Sequence, residues 1–148
     1  MFLAPTQPHI AVLGLGYVGL PLTLALAREF RVIGFDIKTS RVEELNRGED
    51  HTLEADPADL TQALQRGLLF SADAASLAEA NVYIVTVPTP IDQFKSPDLK
   101  PLLAASATIG RVLKAGDVVI YESTTYPGCT EEDCVPVLER ESGLKFNV

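Results

Sequence analysis

IAVLGLGYVGLPLTLALAREFRVIGFD, residues 10–36, is the stretch on which the reading of the fold turns. Ile10, Ala11, Val12 and Leu13 form an apolar strand. Gly14-Leu15-Gly16-Tyr17-Val18-Gly19 is a glycine turn, the apolar run behind it is a helix, and Arg31-Val-Ile-Gly-Phe-Asp36 is a second strand. Together these make a βαβ unit. Gly14 permits the sharp turn out of the strand, Gly16 lets backbone approach a phosphate with no Cβ between, and Gly19 lets the helix pack close to the strands. The helix N-terminus offers unpaired N–H groups and the positive end of its dipole. Asp36 stands 22 residues past Gly14, where its carboxylate can accept from both hydroxyls of a ribose. The same charge repels a 2′-phosphate, so the unit reads as a site for NAD rather than NADP.

The rest of the composition agrees with one domain. A chain of 148 residues, 47% hydrophobic and 22% charged, can bury a sizeable core. No apolar run reaches the length of a membrane span, and the first eight residues lack the basic and apolar regions of a secretory signal. A formal net charge of −8 argues against non-specific nucleic-acid binding. The expectation is therefore a cytoplasmic protein with no membrane and no nucleic-acid partner. Cys129 and Cys134 match neither C-x-x-C nor a zinc pattern, so they read as reduced, structural cysteines, with no metal.

Taken in order, residues 1–8 form a flexible lead-in and residues 9–148 the domain. The first helix is expected from Tyr17 or Val18 to about Arg28, packed through Val18, Leu22, Ala25 and Leu26. Thr39 or Ser40 could cap a second helix carrying Val42 and Leu45 and stopping at Gly48. Residues 49–56 are polar and acidic and read as a loop, either solvated or in contact with a substrate. Residues 57–67 form a helix capped by Asp56, residues 68–70 a short strand, and residues 73–79 a short helix or turn. Residues 81–87 are a strand buried on both faces, ended by Pro88-Thr89-Pro90. Thr89 is thereby placed at the carboxyl end of a central strand, as a cofactor contact or as plain strand termination. A helix over residues 98–115, a strand over 117–121, a turn over 122–128 and a helix over about 130–141 follow. Residues 144–148 begin a further strand. The fold class is α/β, a Rossmann-like doubly wound and mainly parallel sheet with helices on both faces.

Three turns now share one edge: residues 14–19, 88–90 and 123–128. The set Gly-Leu-Gly-Tyr-Val-Gly-Leu-Pro, Phe-Asp, Val-Pro-Thr-Pro with Pro97-Asp98-Leu99, and Glu-Ser-Thr-Thr-Tyr-Pro-Gly resembles the N-terminal NAD-binding domain of the UDP-glucose/GDP-mannose dehydrogenase family. The likeness covers almost the whole chain from His9 onward. Gly48-Glu-Asp-His-Thr-Leu-Glu54, Ile91-Asp92 and the Tyr-Pro-Gly turn look like the branch that oxidises UDP-N-acetylhexosamines.

That resemblance implies a four-electron oxidation of the C6 hydroxyl of a UDP-sugar to a carboxylate with two NAD, in surface polysaccharide biosynthesis. A cysteine forms a thiohemiacetal with the intermediate aldehyde, and water hydrolyses the resulting thioester. Carried over by motif, Gly14, Leu15, Gly16, Tyr17, Val18 and Gly19 meet the pyrophosphate and Asp36 the ribose. Arg41 lies at the adenosine end, or is a solvated helix charge. Thr89 lines the nicotinamide side, Ser123 and Thr124 match the family's Ser-Thr turn and contact the cofactor, and the Thr124 hydroxyl helps place the hydrolytic water. The family's nucleophilic cysteine lies in a later Gly-rich segment ending Cys-x-Pro-Lys-Asp, which neither Cys129 nor Cys134 matches. The expectation is therefore a truncated domain, lacking the central and UDP-binding parts of a homodimeric enzyme, that binds NAD without turnover. A β-hydroxyacid-type dehydrogenase domain and a non-catalytic NAD-sensing module are the alternatives.

Overall fold

The apolar runs become five parallel strands, β1 (His9–Leu13), β2 (Arg31–Phe35), β3 (Leu69–Ser71), β4 (Val82–Val85) and β5 (Val118–Tyr121), in the spatial order β3-β2-β1-β4-β5. The structure is a computed structural model that describes residues 7–147. Of the expected lead-in, residues 1–6 lie outside the described residues. Gln7 already meets the sheet, its carbonyl accepting from Asn81 Nδ2 at 3.0 Å.

Among the described residues, five α-helices flank the sheet: α1 (Gly19–Leu26), α2 (Thr39–Asn46), α3 (Pro57–Gln65), α4 (Lys100–Gly110) and α5 (Val135–Ser142). Successive strand residues face opposite sides. Ile10 and Val12 therefore join Leu20, Leu24, Val42, Leu45, Leu60 and Phe70 in one core. Ala11 and Leu13 join Tyr83, Val85, Leu102, Ile109 and Leu138 in the other. Burial on both faces explains why these strands read as continuous apolar runs with no alternation.

Several expectations are corrected. The first helix is shorter than expected; Leu22 and Leu26 pack against the core as expected, but the fully buried positions are Gly19, Leu20, Thr23 and Leu24, and Val18 is 56% exposed and Ala25 also exposed. Its sequence, GLPLTLAL, is apolar all round, so periodicity could not choose the face. Neither Thr39 nor Ser40 caps α2; Lys38 is the N-cap residue, and its N–H donates to Asp36 Oδ1 at 2.9 Å. The helix expected over residues 98–115 ends at Gly110, where an added Cβ would fall 2.6 Å from Glu141 Cβ on α5. Residues 130–141 split into a π-helical turn, Thr130–Cys134, followed by α5. Residues 144–147 form no strand; the chain turns there and the Phe146 N–H donates to Glu139 Oε1 at 2.9 Å.

Other local signals are met. Asp56 caps α3 through the Ala58 N–H at 2.7 Å, and Asp73 caps the 3-10 helix Ala74–Glu79 through Ala75. Gly143 closes α5 with φ 74°. Both cysteines are free and buried.

Candidate cofactor site

Strand register builds the site. Leu13 pairs with Phe35 on one side and Val85 on the other, and Val85 pairs with Tyr121. The chain thus leaves β1, β2, β4 and β5 at one level, and the turns that follow crowd one edge. The order of the sheet reverses between β1 and β4, the place where open α/β sheets form a crevice at their carboxyl ends.

The glycine turn lies in that crevice. Gly14 has φ 100°, and a Cβ on it would press to 3.0 Å against the Thr86 carbonyl and Val87 nitrogen. Gly19 is tighter still: its Cβ would fall 1.6 Å from the Gly14 carbonyl oxygen. These two glycines are required by the protein's own backbone. Gly16 differs, because apart from its two chain neighbours no described residue comes within 4 Å of where its Cβ would be. Gly16, Tyr17 and Val18 are exposed, and their N–H groups have no acceptor among the described residues. Leu15 turns its side chain inward, 1% exposed, and anchors the loop in the core.

Asp36 follows β2 directly and is half-buried. Its Oδ2 accepts from the Leu15 N–H at 3.0 Å and its Oδ1 from Lys38 at 2.9 Å. A carboxylate has lone pairs for about four donors, so both oxygens can accept further hydrogen bonds. Ile37 beside it is 80% exposed, an apolar platform next to the carboxylate.

Arg41 is not the solvated charge that the sequence allowed. It is 6% exposed, and its Nε donates to the Leu15 carbonyl at 3.0 Å. Its Nη1 meets Asp50 at 2.8 Å and Glu44 at 3.4 Å, and its Nη2 meets Thr52 Oγ1 at 3.3 Å. Residues 49–56 are a largely exposed loop, in keeping with the solvated reading, and the exception is Asp50, whose side chain is 3% exposed. Burial pushes its carboxyl upward, but the Thr52 hydroxyl, the Arg41 guanidinium and the Ala55 and Thr52 N–H groups outweigh this and depress it far below the ordinary carboxylate range. His51 is exposed, with Nδ1 2.7 Å from Glu44 Oε2.

On the other wall, the Thr89 hydroxyl is buried and has no hydrogen-bond partner among the described residues. Ser123 Oγ donates to the Val87 carbonyl at 2.8 Å and so ties the turn after β5 to the turn after β4. Thr124 is exposed next to it. The Tyr126 hydroxyl donates to Asp133, which raises the phenol's pKa. Position along the strands thus brings the glycine turn, Asp36, Thr89, Ser123 and Thr124 to one edge; Arg41 reaches that edge from α2.

Sequence reasoning missed three residues that shape the site. Thr86 donates its hydroxyl to the Gly14 carbonyl at 2.8 Å, but reads as one more strand residue. Gly34 lies under Phe70, whose ring would be 2.6 Å from a Cβ there; a glycine inside an apolar strand was the available signal. Asp50 lay in a polar run with nothing to mark its burial.

Residues 8–148 match the family model described as UDP-glucose/GDP-mannose dehydrogenase family, NAD binding domain. The chain belongs to that family. As an NAD binding domain of the UDP-glucose/GDP-mannose dehydrogenase family, it is 59% identical over 138 residues to the UDP-N-acetyl-D-glucosamine 6-dehydrogenase of Pseudomonas aeruginosa, covering 93% of this chain and 32% of that protein. It is 52% identical over 141 residues to the enzyme of the same name from Salmonella typhi, covering 95% and 33%. Among solved structures, the UDP-D-ManNAc dehydrogenase of Pyrococcus horikoshii superposes with a TM-score of 0.88 at 37% identity, over 94% of this chain and 34% of that one. The chain spans about a third of the length of the curated relatives it matches.

NAD suits the residues present. The open space at Gly16, the unpaired N–H groups of the glycine turn and the partnerless Thr89 hydroxyl are each unexplained by the protein's own packing. No helix among the described residues is long and apolar enough to cross a membrane.

Proposed function

We propose that this chain is the NAD-binding part of a UDP-sugar 6-dehydrogenase that acts on a UDP-N-acetylhexosamine and converts its C6 alcohol to the carboxylate. Bound NAD supplies the hydride acceptor, and two equivalents take up the four electrons. In the complete enzyme, the reading extends to a cytoplasmic homodimer that serves surface polysaccharide synthesis. The carrying observation is the glycine turn, with three unpaired N–H groups beside the Asp36 carboxylate. The identity to two UDP-N-acetyl-D-glucosamine 6-dehydrogenases supports the substrate.

Each residue then has a task. Gly16, Tyr17 and Val18 donate to the pyrophosphate, while Gly14, Leu15 and Gly19 hold the turn in shape. Asp36 accepts from the ribose hydroxyls, and Arg41 steadies the adenosine end through the Leu15 carbonyl. Thr89 offers its hydroxyl on the nicotinamide side. Ser123 fixes its turn, and Thr124 orients the water that cleaves the thioester. Neither Cys129 nor Cys134 can add to an aldehyde from its present place: they are 1% and 0% exposed, and burial with the neighbouring Cys129 pushes the Cys134 thiol up to about 11. The thiol the chemistry requires is supplied outside these residues.

Calorimetric titration with NAD and NADP, repeated on Asp36→Ala, tests the cofactor reading. NAD should bind in preference to NADP, and the substitution should weaken NAD and narrow the preference. Failure of the unsubstituted chain to bind NAD would overturn the reading. UDP-N-acetylglucosamine-dependent NADH formation by the complete enzyme, and none by residues 1–148 alone, is the matching result for the activity.

A further inference from the structure

We propose that Asp50 is a positioning residue for the cofactor: through Arg41 it fixes the Leu15–Gly16 peptide so that the Gly16 N–H stays free for the pyrophosphate, and it thereby sets NAD affinity without touching NAD. The proposal rests on the cofactor reading above.

Two successive peptides of the glycine turn are pinned from outside it. The Gly14–Leu15 peptide is held by its N–H, which donates to Asp36 Oδ2 at 3.0 Å. The next peptide is held by its carbonyl, which accepts from Arg41 Nε at 3.0 Å. In a trans peptide the C=O and N–H point in opposite directions, so drawing the Leu15 carbonyl onto Arg41 directs the Gly16 N–H away from that network. That N–H is the one left without an acceptor at the glycine where a Cβ would meet nothing.

Arg41 can do this only if it is itself immobile, and Asp50 supplies the restraint. Asp50 Oδ1 accepts from Arg41 Nη1 at 2.8 Å and from the Thr52 hydroxyl and N–H at 2.6 and 3.1 Å. Its Oδ2 accepts from the Glu54 and Ala55 N–H groups at 2.8 and 2.9 Å. One buried carboxylate thus collects five donors and shapes the loop around itself. Glu44, the other acid near the guanidinium, is farther away at 3.4 Å and also engages His51, so it cannot replace Asp50. Removing the Asp50 charge frees the guanidinium to follow Glu44, and the Leu15 carbonyl loses a fixed donor. The preorganised turn then has to be ordered by NAD on binding, which weakens it.

Asp50→Asn keeps the side-chain shape and removes the charge. At a temperature where both chains are folded, NAD affinity should fall about five- to tenfold. In ligand-free amide spectra the Leu15 and Gly16 resonances should move, while those of Thr89 and Ser123 stay in place. A merely structural role would lower the melting temperature without singling out those two amides. Thr52→Val, which removes one arm of the same network, covers the case in which Asp50→Asn does not fold; it should shift the same amides and weaken NAD less. Unchanged affinity in the folded variant, with or without moved amides, overturns the proposal and leaves the cofactor reading intact. If the unsubstituted chain binds no NAD, the cofactor reading falls and takes this proposal with it.

Discussion

The Thr86 hydroxyl at the end of β4 lies 2.8 Å from the Gly14 carbonyl oxygen and 3.0 Å from that of Leu13, and so clasps the first residue of the glycine turn from the neighbouring strand. Thr86→Val keeps the branch and deletes the donor. A lost hydrogen bond of this kind costs about 1 kcal/mol. Denaturant midpoints should fall accordingly. NAD affinity should drop by about fivefold if the same energy is lost from loop order, which paired denaturation and calorimetry can check.

The three glycines of the turn should separate into two behaviours. Gly19→Ala sets a Cβ 1.6 Å from the Gly14 carbonyl and 2.5 Å from Thr86 Oγ1, so the chain should be destabilised whether or not ligand is added. Gly16→Ala meets nothing within 4 Å beyond its two chain neighbours and should melt as the unsubstituted chain does. Its cost appears only when a phosphate approaches the backbone, as a loss of NAD affinity of tenfold or more, about 1.4 kcal/mol. A Gly16→Ala chain that binds NAD normally would contradict the placement of the pyrophosphate.

These positions also show what could be read in advance. The glycine turn and Asp36 belong to one short βαβ unit whose geometry is local, so spacing in the sequence was enough. That the sheet is parallel and doubly wound followed from apolar runs alternating with helices, whereas the spatial order of its strands comes from the structure alone. What stayed hidden depends on contacts across the fold. Arg41 and Asp50 meet only because residues 49–56 turn back onto α2, and a buried Asp looks like any other acid in a polar run. The face of α1 was hidden for the opposite reason, since nearly every residue in it is apolar. Thr86 is a threonine at the end of a strand, and only its register opposite Leu13 and Gly14 gives its hydroxyl a task.

The cysteines should be silent in the native chain. Both are buried, and the raised Cys134 thiol has little thiolate near neutral pH. An aromatic disulfide reagent at pH 8 should label neither rapidly, and both should react at once in denaturant. Prompt labelling of the folded chain would show that the helix carrying Cys134 opens more readily than its packing implies.

Acid sensitivity follows from Asp50, with a definite sign. Its folded-state pKa lies far below the ordinary value of 3.8. The stabilisation it brings is therefore fully present above the ordinary carboxylate range and is lost as pH falls through that range toward the depressed value. Glu44, also depressed, adds to the trend: its burial opposes ionisation, but His51 and Arg41 outweigh that. Asp50→Asn cannot titrate there, so it should be less stable than the unsubstituted chain at pH 7, with the gap narrowing from about pH 5 downward. Breaking a buried pair of this kind costs about 3–5 kcal/mol when one partner is truncated, and less when a polar amide remains. Urea midpoints at pH 7, 5, 4 and 3 test this; two curves that stay parallel throughout would mean that Asp50 and Arg41 are not coupled as their 2.8 Å contact requires.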